Sequence, residues 1–101
     1  MDIIMNDLEK YFIEECHLNE DEARELALLN NQLCDELHRR IVNFSFKKQD
    51  GSIRKAIGTL MTDSIPKTES KRTIPFDLQV YFDVEKSQYR SFKKLNLLSV
   101  E

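Results

Sequence analysis

Val42-Asn43-Phe44-Ser45-Phe46-Lys47, followed at once by Lys48-Gln49-Asp50-Gly51, decides the fold. Val42, Phe44 and Phe46 alternate with Asn43, Ser45 and Lys47, the two-residue period of a half-buried strand. Lys48 to Gly51 then supplies the turn of a hairpin.

Upstream of Val42 the period is that of a helix. Neither Gly nor Pro occurs in the first fifty residues, whereas both glycines and both prolines fall between Gly51 and Pro75. Ile4, Leu8, Tyr11, Phe12 and Cys16 recur at three- and four-residue spacing, which predicts a first helix over roughly Ile3 to Cys16. Asn19 can cap a second helix, and Glu22 three residues on completes a capping box. Three acids in its first turn, Glu20, Asp21 and Glu22, complement the helix dipole. Ala23, Leu26, Leu33, Leu37 and Ile41 form its apolar stripe, so this helix should run from about Glu20 to His38 or Arg40.

Downstream the two-residue period continues. Ser52 to Met61 reads as a second strand whose inner face the pattern does not assign, with Gly58 marking a bend or a close backbone approach. Thr62 to Thr73 is polar, contains Ile65-Pro66, and reads as a loop exposing Lys67, Lys71 and Arg72. Phe76, Leu78, Val80, Phe82 and Val84 alternate against Asp77, Gln79, Tyr81 and Asp83, the clearest strand in the chain. Tyr89 to Lys93 and Leu97 to Val100 complete a set of five. An open five-stranded sheet would leave two exposed edges, so short strands in hairpin succession favour closure. The expected fold is therefore α+β: an N-terminal helical hairpin followed by a five-stranded small β-barrel, in one compact domain.

Charge divides at the same place. Residues 1–38 carry eleven acids against Lys10 and Arg24, a balance of −9, and residues 39–101 carry thirteen bases against seven acids, a balance of +6. The chain thus joins an acidic helical segment, 1–40, to a basic barrel, 41–101. Hydrophobic residues make up 41% and charged residues 33% of the 101, which suits a folded globule. The longest apolar run is Leu26-Ala27-Leu28-Leu29, too short to span a bilayer, so no membrane partner is expected. The opening Met1-Asp2 lacks a basic region before an apolar one, which predicts no secretory leader. Two cysteines, Cys16 and Cys34, make no disulfide framework and point to a reducing cytoplasm.

The run from Phe44 to Leu60, then Ile65-Pro66, Tyr81-Phe82-Asp83-Val84 and Tyr89-Arg90-Ser91-Phe92-Lys93, resembles the second WYL-type family over about residues 42–100. Members of that family are short barrels of the Src-homology-3 (SH3)/Sm-like kind found in Bacteroidetes, their mobile elements and phages. The resemblance implies an SH3/Sm-like barrel and carries no established activity. The larger WYL domains are ligand-sensing barrels of transcription regulators and defence proteins, some of which bind nucleic acid. Their late aromatic-Arg-x-Phe motif is matched by Tyr89, Arg90 and Phe92. The Trp-Tyr-Leu tripeptide is not, since its place falls on Asp77, Leu78 and Gln79.

The candidate nucleic-acid-binding set is Lys47, Lys48, Arg54, Lys55, Lys67, Lys71, Arg72, Arg90 and Lys93, joined by Lys94, with Tyr81 or Tyr89 available for base stacking. Lysines at hairpin tips and sheet edges also serve solubility alone. Arg90 has a structural reading too: a tight hairpin centred on Lys86-Ser87 pairs Val84 with Tyr89, Asp83 with Arg90 and Tyr81 with Phe92, making Asp83 and Arg90 cross-strand neighbours. Cys34 and His38 share a helical face that Cys16 could approach. Adjacent Cys16 and His17 can hardly ligate one ion, so no metal and no cofactor is expected. No histidine has a catalytic partner at motif spacing and no Gly-rich loop cradles phosphate, which argues against an enzyme.

The leading expectation is a non-catalytic nucleic-acid-binding or regulatory accessory protein of a bacterial mobile element or phage. The alternative is a phage-encoded, anti-CRISPR-like module that inhibits a basic host protein such as a defence nuclease through Glu14, Glu15, Glu22 and Glu25. A third is a small-molecule sensor at the barrel mouth near Arg90. The leucine stripe also allows a homodimer.

Overall fold

A computed structural model describes residues 7–61 and 75–101. Residues 3–6 of the expected first helix and the expected 62–73 loop, with Lys67, Lys71 and Arg72, lie outside the described residues. The elements in chain order are α1 (Asp7–Glu14), α2 (Glu20–Leu37), β1 (Val42–Lys47), β2 (Ile53–Thr59), β3 (Leu78–Asp83), β4 (Gln88–Lys93), a 3-10 turn (Lys94–Asn96) and β5 (Leu97–Val100).

The capping box at Asn19 forms as its sequence requires: the Glu22 N–H donates to Asn19 Oδ1 at 2.8 Å, and the Asn19 N–H to Glu22 Oε1 at 3.3 Å. At the other end Thr59 joins helix to barrel. Its hydroxyl proton is shared between the carbonyls of Leu37 and Arg40, while the Leu60 N–H donates to Leu37 O at 2.7 Å. These bonds satisfy carbonyls that a helix end leaves without partners. Leu33 and Leu37 enter the same core as Val42, Phe44, Phe46, Ala56, Tyr81, Phe92 and Leu97. Leu8 and Phe12 pack with Ala23 and Ala27 in a second cluster, and Leu26 touches both clusters.

The sheet order is β4-β3-β2-β1-β5, every pair antiparallel. Laid flat, the two edge strands would stand about 19 Å apart at the usual interstrand spacing. Yet only the three residues Lys94–Asn96 link β4 to β5, and a 3-10 turn of that length advances about 6 Å. The sheet must therefore curl until its edges approach, which is barrel geometry.

Gly58 in β2 marks a close approach between neighbouring strands. A Cβ there would stand 2.6 Å from Cδ2 of Tyr81, so the strands can approach only over a glycine. In the β1–β2 turn, Gly51 takes a φ of 91° and Asp50 Oδ1 accepts the Ser52 N–H and hydroxyl, at 2.9 and 2.6 Å. Those two bonds hold the Asp50 carboxyl below its ordinary pKa.

The β3–β4 hairpin differs from the sequence expectation. Its register pairs Asp83 with Gln88, Tyr81 with Arg90 and Gln79 with Phe92, two residues away from the pairing that a turn centred on Lys86-Ser87 gives. The cause is Asp83, whose Oδ1 accepts the N–H groups of both Glu85 and Lys86, at 2.9 and 3.1 Å. That double acceptance folds residues 84–87 into a four-residue loop in which Ser87 takes a φ of 53°. A shift of two keeps every side chain on its face. Asp83 and Arg90 therefore still meet, as diagonal rather than direct neighbours.

Candidate functional site

Register explains how the site is assembled. Phe46 lies opposite Arg54, so Arg54 shares the inward face of β1–β2 with Phe44 and Ala56. On β3 the inward row is Gln79, Tyr81 and Asp83, the row that looks polar in sequence, and on β4 it is Gln88, Arg90 and Phe92. Inside the barrel the aromatics interlock: Phe46 stacks on Phe92 at 4.7 Å, and Tyr81 meets Phe44 edge-on at 5.0 Å. Toward one mouth the inward rows end in charge.

Asp83 is the centre of that charged mouth. It is only 1% exposed, and its Oδ2 accepts Arg54 Nη2 at 2.9 Å and lies 3.3 Å from Arg90 Nε. Burial alone raises its pKa. The N–H groups of Lys86 and Glu85, then the Arg54 guanidinium, outweigh burial and hold the carboxyl below its ordinary value. One carboxylate thus anchors two guanidiniums that stay partly open, their side chains 26% exposed for Arg54 and 36% for Arg90. Gln88, with its amide oxygen toward Arg90, accepts from Nη2 at 2.6 Å and Nε at 3.2 Å.

Over this anchor opens a cleft of about 620 Å³. The buried Phe46, Tyr81 and Phe92 form its floor together with the half-buried Arg54 and Arg90, and the exposed Lys47, Lys48 and Lys93 its rim, with Asp50 the one acid among the lining residues. Five of the seven sequence-selected cations that the structure describes therefore converge. Of the other two, Lys55 faces outward opposite Ser45. Lys94 is also elsewhere, its Nζ 5.0 Å from the centre of the Phe76 ring. No residue of α1 or α2 lines the cleft, so the acidic helices leave it open.

Two polar atoms here have no hydrogen-bond partner although buried: Arg54 Nε and the Tyr81 hydroxyl. Burial pushes the Tyr81 phenol upward in pKa, an effect partly offset by the Arg54 charge and by the approach of the Arg54 guanidinium to the phenol oxygen, which falls short of a well-formed hydrogen bond. Tyr81 is completely buried and cannot stack on a base, while Tyr89 packs edge-on against Phe82 away from the cleft. The stacking role expected of these tyrosines therefore finds no place in the cleft.

The other sequence candidates stay apart. Glu14, Glu15, Glu22 and Glu25 are all exposed, with Glu22 engaged in the capping box. His38 Nδ1 donates to Cys34 O at 2.8 Å, and no group of three metal-ligating side chains occurs among the described residues. No helix among them is long and apolar enough to cross a membrane. Sequence reading missed the Arg54–Asp83 pair because the inner face of β2 carries no periodic signal. Tyr81 was singled out for base stacking, a role its burial rules out, because the alternation of β3 does not show which row faces inward.

Against known protein families, the model of WYL_2, an Sm-like SH3 beta-barrel fold, matches residues 30–98. The match takes in the second half of α2, which the sequence resemblance left outside and which supplies Leu33 and Leu37 to the barrel core. No curated protein and no solved structure matches the chain.

Proposed function

We propose that this chain, which belongs to the WYL_2 family of Sm-like SH3 β-barrels, is a non-catalytic nucleic-acid-binding accessory protein. The observation that carries this reading is the convergence of Lys47, Lys48, Arg54, Arg90 and Lys93 on one open cleft beside a single acid. Such a cleft attracts phosphates and concentrates a polyanion near its mouth. Its volume suits one or two nucleotide units of a single strand rather than the side of a duplex. With its aromatics in the floor, it contacts the phosphate–sugar backbone more than base faces, so weak sequence preference follows. An accessory role in a mobile element or phage fits this chemistry and rests on the sequence resemblance.

The test is fluorescence-polarisation titration of single-stranded and duplex oligonucleotides across a salt series. Three to five phosphate contacts give log K against log salt a slope of about −2 to −3.5 for a single strand. Replacing Lys47, Lys48 and Lys93 together with Gln flattens that slope, whereas replacing outward-facing Lys55 leaves it in place. Absence of binding at low salt overturns the proposal and turns attention to a basic protein partner for the exposed acids of the helices.

A further inference from the structure

The deep end of the cleft differs from its rim. The rim lysines Lys47, Lys48 and Lys93 are exposed, as a diffuse electrostatic surface requires. At the floor, Arg54 and Arg90 are fixed by one buried carboxylate, and beside them Arg54 Nε and the Tyr81 hydroxyl are buried without a partner. Buried polar atoms in folded proteins are almost always satisfied, so two together in the floor of one cleft mark a place where an acceptor is missing. Both are able to donate, and guanidinium N–H groups match the oxygens of a tetrahedral oxyanion.

We propose that the floor of the cleft is a discrete site for a phosphomonoester, held by Arg54, Arg90 and the Tyr81 hydroxyl, with Asp83 as the positioning residue. This inference deepens the nucleic-acid reading and rests on it for the source of the ligand: the phosphorylated end of a strand, entering end-first. An internal phosphodiester carries a sugar on either side and cannot reach atoms that lie below the surface, whereas a terminal phosphate presents three free oxygens. Entry of the phosphate requires the partly open Arg54 side chain to turn about its Asp83 contact, so that its Nε and the phenol meet the incoming oxygens. Asp83 keeps the two guanidiniums from repelling each other before the anion arrives, and the rim lysines then follow the first few nucleotides. A free mononucleotide offers the same phosphomonoester without the strand.

The full chain is titrated with one single-stranded oligonucleotide prepared with hydroxyl ends, with a 5′-phosphate and with a 3′-phosphate, and separately with a nucleoside monophosphate. The expected result is that one phosphorylated end binds on the order of tenfold or more tightly than the hydroxyl-ended strand, the gain of one or more charge-assisted hydrogen bonds. Tyr81→Phe removes most of that increment, whereas Lys55→Gln, at a position that faces away from the cleft, leaves both the increment and the affinity for the hydroxyl-ended strand unchanged. Because the Tyr81 hydroxyl makes no well-formed hydrogen bond in the free protein, Tyr81→Phe is expected to fold, and Arg54→Lys serves as a second probe that keeps the charge but loses Nε. Equal affinity for all three strands overturns the phosphomonoester site and leaves the nucleic-acid reading standing. Binding of the monophosphate alone, weakened by Tyr81→Phe, supports the site, identifies the free molecule as its source and overturns the nucleic-acid reading. Binding of neither strand nor monophosphate overturns both.

Discussion

Asp83 satisfies four groups with two oxygens: two backbone N–H groups of the β3–β4 loop and the side chains of Arg54 and Arg90. Removing its charge leaves two guanidiniums facing each other and two loop N–H groups less well bound. Asp83→Asn is therefore expected to cost about 3–5 kcal/mol, the range for breaking a buried pair from one side, measured by urea denaturation at neutral pH. The same residue sets an acid limb. Its folded-state pKa lies below the ordinary 3.8, so its stabilisation is complete above that value and is lost as pH falls through it toward the folded pKa. Denaturation midpoints measured from pH 6 downward should fall for the native chain and fall less for Asp83→Asn. Tyr81→Phe is expected to behave in the opposite way. The hydroxyl it deletes is buried and unpaired, so stability should hold or rise by about 1 kcal/mol, and a clear drop would mean that the hydroxyl has a partner after all.

At the scale of elements, Gly58 and Thr59 concentrate the demands of the fold in two adjacent residues of β2. Gly58→Ala places a methyl against the buried Tyr81 ring and should cost about 1–3 kcal/mol as overpacking, visible as a lowered thermal midpoint. The close approach at Gly58 was legible in sequence because a lone glycine weakens a strand and persists there chiefly where the backbone bends or another chain segment comes near. The capping box, the Asp50-Gly51 turn and all five strands were legible for similar reasons, each being a local demand met by local residues. β3 was legible as a strand but not in its orientation. Leu78, Val80 and Phe82 make the more apolar row, yet Gln79, Tyr81 and Asp83 face inward, because the barrel mouth binds a carboxylate that two distant arginines satisfy. Arg54 and Asp83 are 29 residues apart, and strand pairing across such a distance leaves no mark on either segment alone. The hairpin register was misjudged for a related reason, since an aspartate that caps its own loop moves the turn one residue toward the N-terminus without changing the alternation around it.

Across the whole molecule α2 packs into the barrel core, yet the acidic helices stand clear of the basic cleft, since none of their residues lines it. Their carboxylates can still act on a strand there through the long-range field. The Debye length is about 8 Å at physiological salt and about 30 Å at 0.01 M, against a long axis of 43 Å for the protein. Glu14, Glu15 and Glu25 are exposed, while Glu22 is needed for the cap and is best left alone. Replacing those three with Lys should therefore strengthen binding of a single-stranded oligonucleotide severalfold at about 0.01 M salt and change it by less than about twofold at 0.15 M. A gain that persists unchanged at 0.15 M would mean that the strand touches the helices, extending the interface beyond the cleft. No gain at either salt would show that the two halves are electrostatically independent. In that case the −9 balance of the first 38 residues serves some other contact, and the same triple variant, tested for loss of a complex with a basic protein, is the means of finding it.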